Sequence, residues 1–382
     1  MLWQSTAALL FALGDLAAGG ASLALRPLFS AAPWLLVMYP PLLQVRGVIN
    51  GVLCGRLTTS LHTGLVYPRI RGNTEYFWAS IASAFSSTFI GCLLIAGVTA
   101  TNVRLTLGCS LRDIQLIAAT SLATGLLSVG LTIPATVVLA TQTFRRGWNP
   151  DIFTYPVMSI LADVAATACY AAVARAIVSS SRPLLAFELV FAACFASFIA
   201  TLAAMRGRGE YFRMLKENIQ VAIPLVLLGN VTGRVLAELR SQIEAKPGIL
   251  LVYPSVTGTL GGAGSILGSM ASTALVLGYV PPTAAVVAYS LPELAAVELA
   301  SLLAYSIYGS IAALSSGCWS MLPAVLSVNL MGFPLIASAS YLTAILTFRR
   351  GWDPDAYINP VVSSLADMVA TLSLAAGLRA FS

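Results

Sequence analysis

The chain has 382 residues, of which 58% are hydrophobic and only 9% charged, and its mean hydropathy is +0.86. Soluble domains carry roughly 25% charged residues, so this chain lacks the polar surface that water requires and has no room for a sizeable extramembrane catalytic or regulatory domain. Its net charge of +6 comes from basic residues, nearly all Arg, that are not clustered with aromatics on a polar surface; that pattern excludes a nucleic-acid partner and leaves a polytopic membrane protein.

A helix needs about 20 apolar residues to cross a bilayer. In chain order, the apolar stretches predict spans near residues 5–27, 33–64, 76–100, 112–144, 151–178, 184–205, 218–239, 248–278, 292–315, 318–347 and 355–381. The expectation is an all-α polytopic protein of about eleven transmembrane helices in the cell membrane. No basic region precedes the first apolar stretch, and Asp15 interrupts it, so that segment reads as a span and not as a cleaved signal peptide. The longest charged stretch is Met205–Glu217. The six cysteines occur singly, without CxxC spacing, and read as small packing residues. The lone His62 builds no His-rich metal site. No nucleotide signature of the Walker or GxGxxG type precedes a helix, and no triad-like grouping of Ser, His and Asp occurs. An enzyme and an organic cofactor are not expected.

The chain repeats itself. Residues 143–169 read TFRRGWNPDIFTYPVMSILADVAATAC and residues 347–373 read TFRRGWDPDAYINPVVSSLADMVATLS, with 16 of 27 positions identical at an offset of 204. A weaker match at offset 214 pairs Tyr39-Pro40 with Tyr253-Pro254, Gly47 with Gly261, Thr59 with Thr273 and Gly64 with Gly278, and Leu13-Gly14-Asp15 pairs with Leu228-Gly229-Asn230. The organisation is therefore a first five-helix repeat at 1–182, a connecting helix and basic loop at 183–217, and a second five-helix repeat at 218–382. Five spans reverse the chain, and the extra span restores its direction, so the repeats are expected to be parallel about a pseudo-two-fold axis along the membrane normal. A cytoplasmic N-terminus puts Arg69, Arg71, Arg145, Arg146, Arg206, Arg208, Arg213, Lys216, Arg349 and Arg350 inside, with fewer basic residues outside, as the positive-inside rule requires.

An acid at a helix centre costs about 2.5–3.5 kcal/mol on the insertion scale, so buried acids mark candidate functional sites. Asp163 and Asp367 are the leading pair. Each lies twelve residues beyond Asp151 or Asp355, about 18 Å along a helix, and the repeat relates them. Ser159 and Ser363, at i−4 on the same face, add hydroxyls, while Pro156 and Pro360 free carbonyls one turn earlier. Oxygen-only ligation favours Mg²⁺ or Ca²⁺ over zinc or copper. The competing reading is that each Asp is held by an Arg, Arg46 or Arg56, as an orienting salt bridge. Asp15, paired with Asn230, is either a secondary ion or coupling site or a polar packing contact. The glycine-rich run Gly258–Ser265 and its partner Gly47–Gly55, with Asn50 as a further oxygen ligand, either unwinds towards a pore or packs helices closely. Glu188 reads as a snorkelling residue, and the Arg145-Arg146 and Arg349-Arg350 pairs as interfacial anchors.

The twice-repeated FRRGW[N/D]PDxxxxPxxSxxxD, with YPPLLQVRGVING (residues 39–51) and RLTT (residues 56–59), resembles the MgtE-type magnesium transporters. It is most similar to their fused, duplicated form, represented by solute carrier family forty-one and its prokaryotic relatives. The resemblance implies that each half corresponds to one five-helix subunit of a dimeric pore, making this chain a self-contained pseudo-dimer, compatible with a monomer. It also implies Mg²⁺ as the transported ion, with the family's pore acid falling on Asp163 and Asp367. Two departures stand out. The family's cytosolic regulatory domains are missing, and the second half has Leu260 and Gly264 where the first has Arg46 and Asn50. Transport by a Na⁺- or H⁺-coupled exchanger using Asp15, and a non-transporting membrane scaffold, are the alternatives.

Overall fold

The structure is a computed structural model, and it describes residues 11–29, 31–108, 110–146, 150–179, 183–351 and 354–381. Among these residues there are thirteen α-helices and no strand. They are α1 (Asp15–Ser22), flanked by short 3₁₀ turns, α2 (Trp34–His62), α3 (Glu75–Leu107), α4 (Leu111–Arg145), α5 (Pro150–Val178), α6 (Pro183–Ala204) and α7 (Gly209–Glu238). The short α8 (Arg240–Ala245) leads to α9 (Gly248–Val276), the short α10 (Ala285–Tyr289), α11 (Leu291–Ser316), α12 (Met321–Arg349) and α13 (Pro354–Phe381). Nine of the described helices, α2 to α5, α7, α9 and α11 to α13, are long and apolar enough to cross a membrane. The remaining two of the eleven expected spans fall on α6, an apolar helix of 22 residues, and on the N-terminal segment, part of which lies outside the described residues.

Local chemistry sets the helix ends. Ser110 caps α4 in a reciprocal box with Asp113, which satisfies two of the helix's free N–H groups. Gly64 and Gly278, equivalent in the repeat, stop α2 and α9 with φ of +73° and +72°, a left-handed conformation that glycine adopts without steric cost. The internal prolines do not break their helices: α2 runs through Pro40-Pro41 and α9 through Pro254.

The helices gather into two compact units, Pro27–Ala237 and Met1–Arg26 with Glu238–Ser382. In the first, α2 packs on α3, α4 and α5, with α6 against α4 and α3. Helix α7 belongs to this unit. A methyl at Gly233 would lie 2.0 Å from the Val37 carbonyl oxygen of α2, and one at Gly229 would lie 2.5 Å from Pro41 Cα. In the second unit, α9 packs on α11, α12 and α13, and on α1. There a methyl at Gly19 would lie 1.7 Å from the Leu251 carbonyl oxygen, and Ser22 Oγ donates to the Leu250 carbonyl at 3.2 Å. Lipid tails give no hydrophobic drive to helix association, so such close backbone approaches at small residues supply the packing.

The compact units thus cut the chain at other places than the repeats do. Helix α1, expected in the first repeat, sits with the helices of the second unit, and α7, expected in the second repeat, sits with those of the first. Both exchanges use the same contact, because Gly19 and Gly233, and likewise Leu251 and Val37, are separated by 214 residues.

Candidate ion site

Asp163 lies on α5, thirteen residues after the helix begins at Pro150, and Asp367 lies on α13, thirteen residues after Pro354. Both are partly buried. One turn after each acid, a threonine is hydrogen-bonded to a tyrosine of the unit's central helix. Tyr39 and Thr167 join hydroxyls at 3.2 Å, and Tyr253 and Thr371 at 2.8 Å. In the first unit Tyr170 also donates to the Leu35 carbonyl at 2.8 Å and stacks on Tyr39. These tyrosines fix the rotation of each acid-bearing helix. The sequence signals were the Tyr-Pro pairs and the threonines of the long repeat, but only the fold joins them.

The two acids differ in what faces them. Arg46 of α2, 5% exposed, places Nη2 2.5 Å from Asp163 Oδ1, whose side chain is 26% exposed. The Arg contact that the orienting-salt-bridge reading expected is therefore present at Asp163. Arg56, the other suggested partner, bonds Glu217 of α7 at 2.8 Å instead. The position aligned with Arg46 in the second half is Leu260, a fully buried hydrocarbon side chain. Ser159 and Ser363 are both exposed, one turn before their acids, and a methyl at Gly261 would lie 4.0 Å from Ser363 Oγ.

Asn50, 7% exposed, accepts from Thr136 of α4 at 3.1 Å. Arg46, Asn50, Thr88 and Thr132 line a small cavity with Ile49 and Leu53. The glycine-rich run of α9 is not unwound. Gly264 of the run and Gly268 just beyond it let α13 come close, since methyls there would lie 2.5 Å from Val362 and 2.4 Å from Ile358.

Asp15 is buried, 6% exposed, and its Oδ2 lies 2.8 Å from where a methyl at Gly258 would stand. Its counterpart in the other unit is a correction to the sequence pairing. Gly229, 214 residues on, meets Gln44, which is 214 residues before Gly258; a methyl at Gly229 would lie 2.7 Å from Gln44 Oε1. Asn230, the residue paired by sequence, accepts from Thr99 of α3 at 2.9 Å and donates to the Val226 carbonyl. Each unit therefore fills the same helix crossing with one polar side chain, a carboxylate from α1 in one and an amide from α2 in the other.

A buried network that sequence reasoning missed lies on α11 and α12. Asn329 Nδ2 donates to Glu298 Oε1 at 3.0 Å, and Ser301 donates to Asn329 Oδ1. An acid inside the predicted span 292–315 was the available signal. Among the described residues no three His, Cys, Asp or Glu side chains gather into a metal-binding group.

Long apolar helices that carry acids and an ion pair in their interior define an integral membrane protein built to handle charge. The family model described as "MgtE: Divalent cation transporter" matches residues 39–173 and 253–376, more than half of the chain. The chain belongs to that family, and membership implies transport of divalent cations, Mg²⁺ among them. The two matched segments begin at Tyr39 and Tyr253 and run through the helices that carry Asp163 and Asp367. No curated protein and no solved structure matches the chain.

Proposed function

We propose that the chain moves Mg²⁺ across the cell membrane with Asp163 and Asp367 as its carboxylate ligands, one from each repeat, at a pseudo-two-fold axis between them. The observation that carries this reading is their common setting. Each acid occupies the same position of its helix, with a serine one turn before it and a tyrosine-bonded threonine one turn after it. Mg²⁺ keeps several of its waters and is held through one or two carboxylates, so two acids with the Ser159 and Ser363 hydroxyls suit a partly hydrated ion. In this reading the N-terminus is cytoplasmic, the repeats 1–182 and 218–382 are parallel, and no second copy of the chain is required. The competing reading, a Na⁺- or H⁺-coupled exchanger with Asp15 as coupling acid, has the burial of that carboxylate in its favour; it requires flux to collapse without an imposed gradient and in Asp15→Asn.

The test is flux in proteoliposomes. Asp163→Asn and Asp367→Asn, made separately, are each expected to lower Mg²⁺ or Mn²⁺ uptake at least tenfold in protein that still folds; Asp163→Asn also lowers the melting temperature, because it leaves the buried Arg46 without its carboxylate. Wild-type uptake in either folded variant overturns the reading.

A further inference from the structure

We propose that Arg46 is a tethered cation that competes with the transported ion for Asp163. This rests on the ion-site reading above and assigns a regulator to it. The guanidinium is 5% exposed and lies 2.5 Å from the carboxylate, a charge-assisted contact. An empty carboxylate inside a membrane is costly, and Arg46 removes that cost by neutralising Asp163 whenever no divalent ion is there. An arriving Mg²⁺ needs the same oxygens. It must displace the guanidinium, which then stands as a like charge beside the ion.

The void beside Arg46, lined by Asn50, Thr88 and Thr132 with apolar neighbours, is only about 10 Å³, room for about one water, so the guanidinium leaves Asp163 by a movement of its own side chain and not by entering a ready cavity. Conduction needs binding that is favourable enough to capture the ion and weak enough to release it, and a resident competitor provides the second. The two halves then divide the work. At the aligned position of the second half Leu260 brings no charge, so occupancy of Asp367 is not conditional on a guanidinium from that position, whereas occupancy of Asp163 requires Arg46 to leave.

The experiment uses the full chain in lipid nanodiscs and reads the Mg²⁺ concentration that half-saturates protection against thermal unfolding, alongside flux in proteoliposomes. Arg46→Leu, the residue found in the second half, is expected to lower that concentration at least tenfold and to slow flux at saturating Mg²⁺. Arg46→Lys, which keeps a cation, is expected to stay within threefold of wild type. Adding Asp163→Asn to Arg46→Leu is expected to abolish the gain. A folded Arg46→Leu protein with wild-type half-saturation overturns the proposal; if Arg46→Leu does not fold, Arg46→Gln is judged by the same criterion. The two levels fail separately. Unchanged flux in Asp367→Asn overturns the ion site and the competition together, whereas lost flux in Asp367→Asn with unmoved half-saturation in Arg46→Leu overturns the competition alone.

Discussion

At the scale of single residues, the polar groups inside this protein are placed by exchanges of volume. Asp15 has room because position 258 is a glycine, and Gln44 has room because position 229 is one. A methyl at 258 would lie 2.8 Å from the Asp15 carboxylate, closer than real contacts allow, so Gly258→Ala is expected to destabilise the protein by about 1–3 kcal/mol through overpacking. Asp15→Ala in the same chain should recover most of that loss, and a double-mutant cycle on thermal unfolding in detergent should show a coupling of about 1 kcal/mol or more. Additive effects would place Asp15 elsewhere. The sequence made the acids legible because a charge in an apolar span stands out against its neighbours. It did not decide whether Arg46 or Arg56 meets Asp163, since that depends on which faces of α2, α5 and α7 turn to one another. The pairing of Asp15 with Asn230 erred by one residue for a related reason. The Leu-Gly-Asp and Leu-Gly-Asn triplets match at an offset of 215, but the glycines that set the helix crossings match at 214. Identity of letters weighed more than contact geometry that letters do not show.

At the scale of helices, the long apolar spans were readable because each must satisfy its backbone internally to lie in lipid, which leaves a run of some 20 apolar residues as its trace. What runs of glycine mean is harder to read. The same residue lets a helix unwind, lets two helices touch, or does neither, and all nearby glycines of α2 and α9 sit in unbroken helix. Position separates them. Nothing lies within 4 Å of a methyl built at Gly47 or Gly55, whereas one at Gly233 would lie 2.0 Å from the Val37 carbonyl oxygen. Gly233→Ala must push α7 off α2 and is expected to destabilise by about 2–3 kcal/mol. Gly47→Ala and Gly55→Ala should be neutral or stabilising by up to about 1 kcal/mol, because alanine is the better helix former. Melting temperatures of the three purified variants in one detergent decide it; a Gly233→Ala protein as stable as the other two would mean that α7 does not approach α2 so closely.

At the scale of the whole chain, duplication and compactness follow different boundaries. The repeat is written in the sequence, whereas the compact units take α1 with the second repeat's helices and α7 with the first's. Sequence alone gave no sign of this, because a duplicated chain reads the same whether its first helices stay home or change places. The exchange has a consequence for fragments of nearly equal length with six helices each. Fragment 27–237 holds α2 to α7 and includes the helix whose Gly229 and Gly233 pack on α2. Fragment 1–207, the expected first repeat with its connecting helix, holds α1 to α6; it keeps a helix whose close partner, Leu251 of α9, is missing and lacks the helix that α2 requires. Unpaired helix faces in a membrane associate wrongly, since small-residue contacts supply the packing. Fragment 27–237, led into the membrane by a cleavable signal sequence because residue 27 faces outward in the proposed orientation, is expected to purify as a monodisperse, protease-resistant species. Fragment 1–207 is expected to aggregate or to be digested unless 208–382 is co-expressed with it. Size-exclusion chromatography and limited proteolysis in one detergent separate the outcomes, and a fragment 1–207 at least as resistant as 27–237 would show that each repeat keeps its own first helix.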